Sequence, residues 1–186
     1  MKNLLLLSFF LLPAVKVTAQ IKYFTKAGKI TFYSKAPLED IEAVNNKVTC
    51  VWDVNTGQIE LGVLMKGFEF EKGLMQEHFN ENYVESDKYP KAVFTGIIEN
   101  SKTISLTTDN VITVKVNGTL TIHGVTNPLN TTAVIAVKDG VVEASSGFTI
   151  ALADYKISIP SIVADKINKS IAISLVIPSF QILTTK

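Results

Sequence analysis

Apolar and polar residues alternate along most of the chain, and the longest alternation covers residues 111–123. Every second residue from Ile112 to Ile122 is aliphatic or glycine, while the positions between them carry polar side chains. Side chains of a β-strand point alternately to its two faces, so this pattern predicts one long strand with a dry face and a wet face. At about 3.3 Å per residue the strand would run about 40 Å, which suits a tilted strand of a coiled barrel better than a flat sandwich.

Shorter alternations raise the number of predicted strands to at least eight. They cover residues 29–35, 47–53, 58–66, 92–98, 133–137, 142–150 and 171–177. Asn55-Thr56-Gly57 and Asp139-Gly140 between them are turn signals, and the second is typical of a two-residue hairpin. Sequential hairpins with one dry face predict an all-β fold, an extended eight-stranded antiparallel barrel whose interior is wide enough for a slender ligand. A β-sandwich is the structural alternative.

One segment departs from the two-residue period. Within residues 71–86, bulky side chains recur at spacings of about three and four, at Leu74, Met75, His78, Phe79 and Tyr83. This spacing predicts a short helical insertion, and Pro90 prevents its continuation. A weaker break covers residues 154–168, where Pro160 predicts a loop.

The first residues have the pattern of a secretory signal peptide. Lys2 precedes a short apolar run, and small residues stand at Val17 and Ala19, so we expect residues 1–19 to be removed and residues 20–186 to form the mature domain. A retained transmembrane anchor is the alternative, but the run is about half of the ~20 residues that span a bilayer. We therefore expect a periplasmic or secreted protein without an integral membrane segment after cleavage.

Bulk properties narrow the class further. Residues 20–186 suffice for one hydrophobic core, and the net charge of +1 gives no field that would attract nucleic acid. The lone Cys50 excludes an internal disulfide, and its place in an alternating segment predicts a buried, inert thiol. Stability must therefore come from packing, and a homodimer is compatible with the pattern.

The residues that usually carry catalysis or bind metals are sparse. His78 and His123 are the only histidines, and neither has a second ligand at metal-binding spacing. There is no G-x-S-x-G motif, no glycine-rich phosphate loop and no carboxylate pair in an apolar setting. We expect a protein that is not an enzyme and that needs no metal or cofactor, with His78 packed in or capping the helical segment and His123 near a strand end.

Bulky, flexible apolar residues are concentrated around the helical insertion. Methionine and aromatic side chains make adaptable pocket walls, although ordinary core packing explains any single one of them equally well. The predicted apolar lining of a ligand site is Phe32, Trp52, Met65, Phe68, Phe70, Leu74, Met75, Phe79, Tyr83 and Phe94. Burying ~500 Å² of a chain-like ligand at about 25 cal/mol/Å² gives roughly 12 kcal/mol, enough for micromolar to nanomolar binding after ordering costs.

Two stretches resemble a known family. The first runs from His78-Phe79 through Tyr89-Pro90 to Phe94, and the second, NGTLTIHGVTNPL, covers residues 117–129. Both resemble the YceI-like family. The resemblance implies a periplasmic, lipocalin-like extended barrel that holds a polyisoprenoid or other amphiphilic lipid chain, with no catalytic residue to transfer. The family's usual W-x-x-D-x-x-H-S opening is replaced here by YFTKAGKI, which leaves the ligand's identity open.

Three functional hypotheses follow. The first is a carrier that sequesters a lipid chain inside the barrel. The second is an envelope-stress or interaction module with a barrel filled by side chains, in which Phe24 or Phe180 packs on a partner. The third is a cryptic enzyme or metal protein that uses His78 or His123. Residues 124–128 are interpreted as the end of one strand and the turn into the next.

Overall fold

The computed structural model of the chain describes residues 21–183. The ten strands in this range form one antiparallel sheet. Its strands are β1 (Lys22–Lys35), β2 (Asp40–Asp53), β3 (Gln58–Leu64), β4 (Glu69–Phe70), β5 (Lys91–Ile98), β6 (Asn110–Ile122), β7 (Val125–Lys138), β8 (Val141–Ala151), β9 (Ser170–Ile177) and β10 (Gln181–Leu183). Helix α1 (Gly73–His78) continues into a wider helical turn, Phe79–Tyr83. The predicted signal peptide, residues 1–19, lies outside the described residues. Within residues 21–183 no helix has the length and apolarity to cross a membrane.

The sheet closes because β1 pairs on both of its edges. Around the barrel the order is β1, β2, β3, β5, β6, β7, β8 and β9, and β9 then pairs with β1. Ile30 lies opposite Asn45 of β2 on one side and Leu175 of β9 on the other. The short strands β4 and β10 only extend the edges of β2 and β1. The predicted eight-stranded barrel with a short helical insertion is confirmed, and the sandwich alternative is wrong.

Strands β1 and β2 begin well before the alternation in the sequence shows them. A β-bulge near Gly28 shifts the register of β1 against β2, so Thr25 and Gly28 both face inward although they are three residues apart. In β2 the same shift makes Asn45 and Val48 both inward. Buried Asn45 is satisfied because its Nδ2 donates to the Leu64 carbonyl at 2.9 Å. Bulges of this kind break the two-residue period and hide a strand from pattern analysis.

The turn between β6 and β7 is shorter than residues 124–128. It consists of His123 and Gly124, both with positive φ (51° and 72°), as a tight two-residue hairpin requires. Pro128 therefore lies within β7, opposite Thr119, which corrects the expectation that it belongs to the turn. Backbone nitrogens along β7 point alternately to β6 and to β8, and the alternation that starts at the hairpin places the Pro128 nitrogen toward β8. β7 does not pair with β8 at this position. The missing N–H thus breaks no ladder hydrogen bond.

One end of the barrel is closed. Residues 99–109 cross this end. Ser101 and Ile104 of this segment are buried, as is Ile98 at the end of β5. The indole nitrogen of buried Trp52 donates to Ser101 Oγ at 2.9 Å, and Ser101 Oγ in turn donates to the Val54 carbonyl at 2.9 Å. The opposite, open end carries the turn after β1, the helical insertion and the loop before β9.

Cys50 is fully buried on the inner side of β2. Burial disfavours the thiolate and raises the pKa of this thiol to about 12. Such a thiol does not react as a nucleophile at neutral pH, in agreement with the inert role predicted from the sequence.

Candidate functional site

An apolar cavity of about 490 Å³ occupies the interior of the barrel. Inward side chains of all eight barrel strands line it, from Trp52 and Ile98 at the closed end to Glu39 and Lys72 at the open end. Along β2, the lining extends from Ile41 to Trp52, about 36 Å of extended chain. With strands tilted about 40°, this corresponds to about 28 Å along the barrel axis. The cavity is therefore elongated along the barrel axis, and the barrel is not filled by side chains.

All ten residues predicted to line a ligand site border this one cavity. They are Phe32, Trp52, Met65, Phe68, Phe70, Leu74, Met75, Phe79, Tyr83 and Phe94. The sequence interpretation missed the aliphatic half of the wall, which β7, β8 and β9 supply. That half includes Leu129, Ile135, Ile150, Ile171, Ile173 and Leu175. Their alternation was visible in the sequence, but nothing in it separates a cavity wall from a packed core.

Four phenylalanines form the wall nearest the open end. Phe32 of β1 is the centre of the group, with ring centroids 5.4 Å from Phe68, 5.6 Å from Phe70 and 5.5 Å from Phe79. Phe79 comes from the helical insertion, which is tied to the barrel where the Phe70 N–H donates to Gln76 Oε1 at 3.3 Å. Tilted and edge-to-face contacts at these distances are favourable beyond simple burial. The insertion is thus packed as part of the cavity wall.

A pair of glycines makes room for Phe94 in the opposite wall. Gly96 of β5 and Gly118 of β6 lie directly across from each other, and both face inward. A Cβ at Gly96 would lie 2.7 Å from Phe94 Cζ, and one at Gly118 would lie 2.7 Å from the same atom. The Phe94 ring therefore occupies the space that two side chains would otherwise fill. This explains why glycine stands in the middle of the long strand β6.

Strands β7 and β8 pair over only part of their lengths. Their ladder begins near the closed end and stops at Ala133 opposite Ser146. Beyond that point Thr131 Oγ1 donates to the Gly147 carbonyl at 3.3 Å, and Ser146 Oγ donates to the Thr132 carbonyl at 2.8 Å. Closer to the open end, Asn127 Nδ2 donates to the carbonyl of residue 154 at 2.7 Å. Side-chain hydrogen bonds thus replace the ladder in this part of the wall.

Among the described residues, charged side chains line the cavity only at its mouth. Lys72 Nζ donates to Glu39 Oε1 at 2.8 Å, and this bond lowers the pKa of Glu39 and raises that of Lys72. Lys166 adds a second positive charge near Glu39. His78 is exposed at the last position of α1, so the expectation that it packs in the helical segment is wrong, while the alternative that it caps the helix stays a prediction. The helix turns Met75 and Phe79 inward instead.

His123 connects three segments at the open end, close to the end of a strand as expected. Its Nε2 lies 2.6 Å from Glu85 Oε2, and its Nδ1 lies 3.1 Å from the Tyr155 carbonyl. Both partners are hydrogen-bond acceptors, so the doubly protonated imidazolium satisfies both contacts. The hydrogen bond from His123 lowers the pKa of Glu85. Its ring also packs edge-on against Tyr89, with centroids 4.7 Å apart.

This network makes His123 a structural link between the β6–β7 turn and its neighbours. Across the part of the chain that the structure covers, no three His, Cys, Asp or Glu side chains converge as a metal site would require. Phe180 points inward, with its ring centroid 5.9 Å from that of Trp52, and it lines the cavity. It therefore does not offer a surface to a partner as the interaction hypothesis proposed.

Solved structures with the same fold exist at low sequence identity. A polyisoprenoid binding domain from Saccharophagus degradans aligns with a TM-score of 0.73 at 15% identity, over 86% of this chain and 97% of that one. BcnA from Burkholderia cenocepacia aligns with a TM-score of 0.66 at 14% identity, over 84% and 96% of the two chains. A Campylobacter jejuni YCEI protein aligns over 100% of both chains, with a TM-score of 0.50 at 19% identity. These likenesses establish the fold.

Sequence comparison gives the family. A search of curated proteins found no match. The YceI-like domain, by contrast, matches residues 15–178, which include both stretches that carry the resemblance and all eight barrel strands. The glycine-containing β6 strand, the His123–Gly124 hairpin and the Tyr89–Pro90 entry into β5 all lie within this match. The chain therefore belongs to the YceI-like family.

Proposed function

We propose that this protein is an exported, non-catalytic carrier that holds one amphiphilic hydrocarbon chain, such as a polyisoprenoid, inside its barrel. The observation that carries the proposal is the long apolar cavity, closed at Trp52 and open at the end of the barrel that carries Glu39 and Lys72. The polyisoprenoid binding domain of the same fold supports the class of ligand. Export rests on the signal-peptide pattern of residues 1–19.

The dimensions of the cavity favour one chain over a bulkier ligand. Non-bonded carbons approach to about 3.5–4.0 Å, so an extended hydrocarbon chain is only about 4–5 Å wide and suits an elongated cavity. A methylene group is about as large as a water molecule, whose share of liquid volume is about 30 Å³. The cavity of about 490 Å³ therefore takes on the order of 16 chain carbons. The remainder of a longer chain would extend through the mouth.

The direction of entry follows from where the charges lie. The described charged side chains that border the cavity, Glu39, Lys72, His78 and Lys166, all lie at the open end. Burying a charged or strongly polar headgroup in the apolar interior without partners would be unfavourable. The apolar tail therefore points toward Trp52, and the polar end of the ligand stays at the mouth.

The binding energy is adequate without a polar anchor. About 16 buried methylenes at about 0.8 kcal/mol each give about 13 kcal/mol before costs. Lost translational freedom and the ordering of a flexible tail offset several kcal/mol of this. The expected net affinity is micromolar to nanomolar. Within residues 21–183, the carboxylate, lysine and histidine side chains that border the cavity all lie at its mouth, which supports binding without catalysis.

The test combines native mass spectrometry of the isolated protein with a cavity-filling variant. Ala144 of β8 faces the cavity, whereas Ala172 of β9 is exposed on the outer surface. Ala144→Phe should place a ring where the chain lies and weaken binding of a fluorescent polyene fatty acid at least about tenfold. Ala172→Phe, the matched control, should bind like the unaltered protein. Protein that is always empty and binds no chain would refute the proposal, as would equal binding by both variants.

A further inference from the structure

Three large aliphatic side chains are exposed at the open end of the barrel. Leu38, in the turn after β1, is 70% exposed, Leu74 of α1 is 63% exposed and Ile162, in the loop before β9, is 90% exposed. Single exposed aliphatic residues are ordinary, and Val111 near the closed end is 74% exposed. What distinguishes the three is their position around the mouth of an apolar cavity. We call them the mouth patch.

Hydrogen bonds hold the three segments of the mouth patch together. The Leu38 N–H donates to the Asp165 carbonyl at 3.1 Å, which joins the turn after β1 to the loop that carries Ile162. The Lys72–Glu39 ion pair joins the same turn to the start of α1, beside Leu74. A residue adjacent to each member lines the cavity, namely Glu39, Met75 and Val163. The mouth patch is therefore continuous with the apolar wall inside.

The charges around the mouth determine which surface would fit it. Lys72 and Lys166 stand beside the carboxylates Glu39, Glu71 and Asp165, so the border of the mouth carries both signs of charge without an excess of lysines. The groove beside it is lined by more carboxylates than lysines, among them Glu69 and Glu71. An anionic surface would be repelled by such a border, whereas a zwitterionic surface would not.

We propose that the mouth patch inserts into the surface of a zwitterionic phospholipid bilayer, so that a chain passes between bilayer and cavity without crossing water. This inference rests on the proposed carrier function, because only a lipid ligand gives the mouth a reason to meet a membrane. Leu38, Leu74 and Ile162 would lie among the lipid headgroups and upper acyl chains. The attachment is apolar, and it therefore persists at high salt.

The experiment measures co-sedimentation of the full protein with phosphatidylcholine vesicles. Ile162→Ser and Leu38→Ser change mouth-patch residues that do not line the cavity, and each should weaken partitioning about tenfold. Val111→Ser removes an equally exposed aliphatic residue near the closed end and should leave partitioning unchanged. All variants carry the same N terminus, so residues 1–20 contribute equally to each. Equal losses in Ile162→Ser and Val111→Ser, or no loss in either mouth variant, would overturn the proposal.

Two further measurements would show whether the mouth patch binds something other than a zwitterionic bilayer. Stronger partitioning onto phosphatidylglycerol vesicles, abolished by salt, would show electrostatic attachment instead and refute apolar insertion. Light scattering that detects a dimer lost in Ile162→Ser would show that the mouth patch is an interface between two copies, which also refutes the proposal. A dimer that persists in this variant, or a monomer throughout, agrees with it.

Failure of docking is distinguishable from failure of the carrier function. Binding of the polyene fatty acid from solution depends on the cavity, so Ile162→Ser and Leu38→Ser should bind it like the unaltered protein. Protein that binds the fatty acid but never the vesicles refutes docking and keeps the carrier function. Protein that binds vesicles through Ile162 but no fatty acid refutes the carrier function alone.

Discussion

Gly118 offers the sharpest test of how the cavity wall is packed. Its missing side chain leaves space for the Phe94 ring, and a Cβ built there would lie 2.3 Å from the Thr95 carbonyl oxygen and 2.7 Å from Phe94 Cζ. These separations are far below van der Waals contact, and the nearest atom belongs to the backbone. Gly118→Ala must therefore move β5 away from β6, displace Phe94, or both.

The magnitude follows from the cost of overpacking. Forcing one methyl into a filled site costs about 1–3 kcal/mol, so we expect Gly118→Ala to lower the free energy of unfolding by about 2 kcal/mol. For a domain of this size such a loss lowers the melting temperature by about 6 °C. Gly147 of β8 is the matched control, because a Cβ there would meet nothing nearer than the Ile173 carbonyl oxygen at 3.8 Å. Gly147→Ala should raise stability by about 0.5 kcal/mol through the unfolded state.

Urea unfolding followed by fluorescence measures both effects, because Trp52 is the only tryptophan and is fully buried. In a Phe94→Ala background, Gly118→Ala should cost about 1 kcal/mol less, since the clash with Phe94 is gone while the clashes with the Thr95 carbonyl oxygen and Gly96 Cα remain. Equal stabilities for Gly118→Ala and Gly147→Ala would refute this account of the wall, as would a Gly118→Ala cost that does not change when Phe94 is removed.

Three further predictions concern single groups. Because the pKa of Glu85 is lowered in the folded protein, its contribution to stability is present above about pH 4 and is lost as pH falls through the lowered pKa. Thermal unfolding of Glu85→Gln should therefore depend less on pH below about pH 4 than that of the unaltered protein, and identical profiles would contradict this. Ser101→Ala leaves the Trp52 indole N–H and the Val54 carbonyl without partners and should cost about 2–3 kcal/mol in urea unfolding, unlike exposed Ser105→Ala. Cys50 should resist a thiol reagent at pH 8 until urea unfolds the barrel, and rapid labelling of the folded protein would show that it is accessible.

The two-residue period was sufficient to predict the barrel but not the full length of its strands. β6 could be predicted closely because it has no bulge and its inward residues are aliphatic or glycine. The first halves of β1 and β2 were missed because the bulge at Gly28 and buried Asn45 reverse the alternation. Pro128 was assigned to a turn because no sequence pattern shows that β7 lacks a neighbour at that point.

For the candidate site, residue size was more informative than position. The aromatic and methionine cluster around the helical insertion was predicted because bulky, flexible side chains are unusual at such density. The aliphatic half of the wall was missed because Ile173 or Leu175 in a strand has the same pattern whether it faces a cavity or another side chain. The link through His123 was beyond prediction, since Glu85 and Tyr155 approach it only after the barrel has closed.

The partial pairing of β7 with β8 means that the circumference of this barrel is not fixed by backbone hydrogen bonds throughout. Near the closed end a continuous ladder of backbone hydrogen bonds joins β7 to β8. Beyond Ala133 and Ser146, a few side-chain hydrogen bonds connect the two strands instead. Such contacts can lengthen without breaking a backbone ladder between β7 and β8, so this part of the wall is where the barrel can widen most readily. Under the proposed carrier function, a straight chain and one with methyl branches would both be accommodated there.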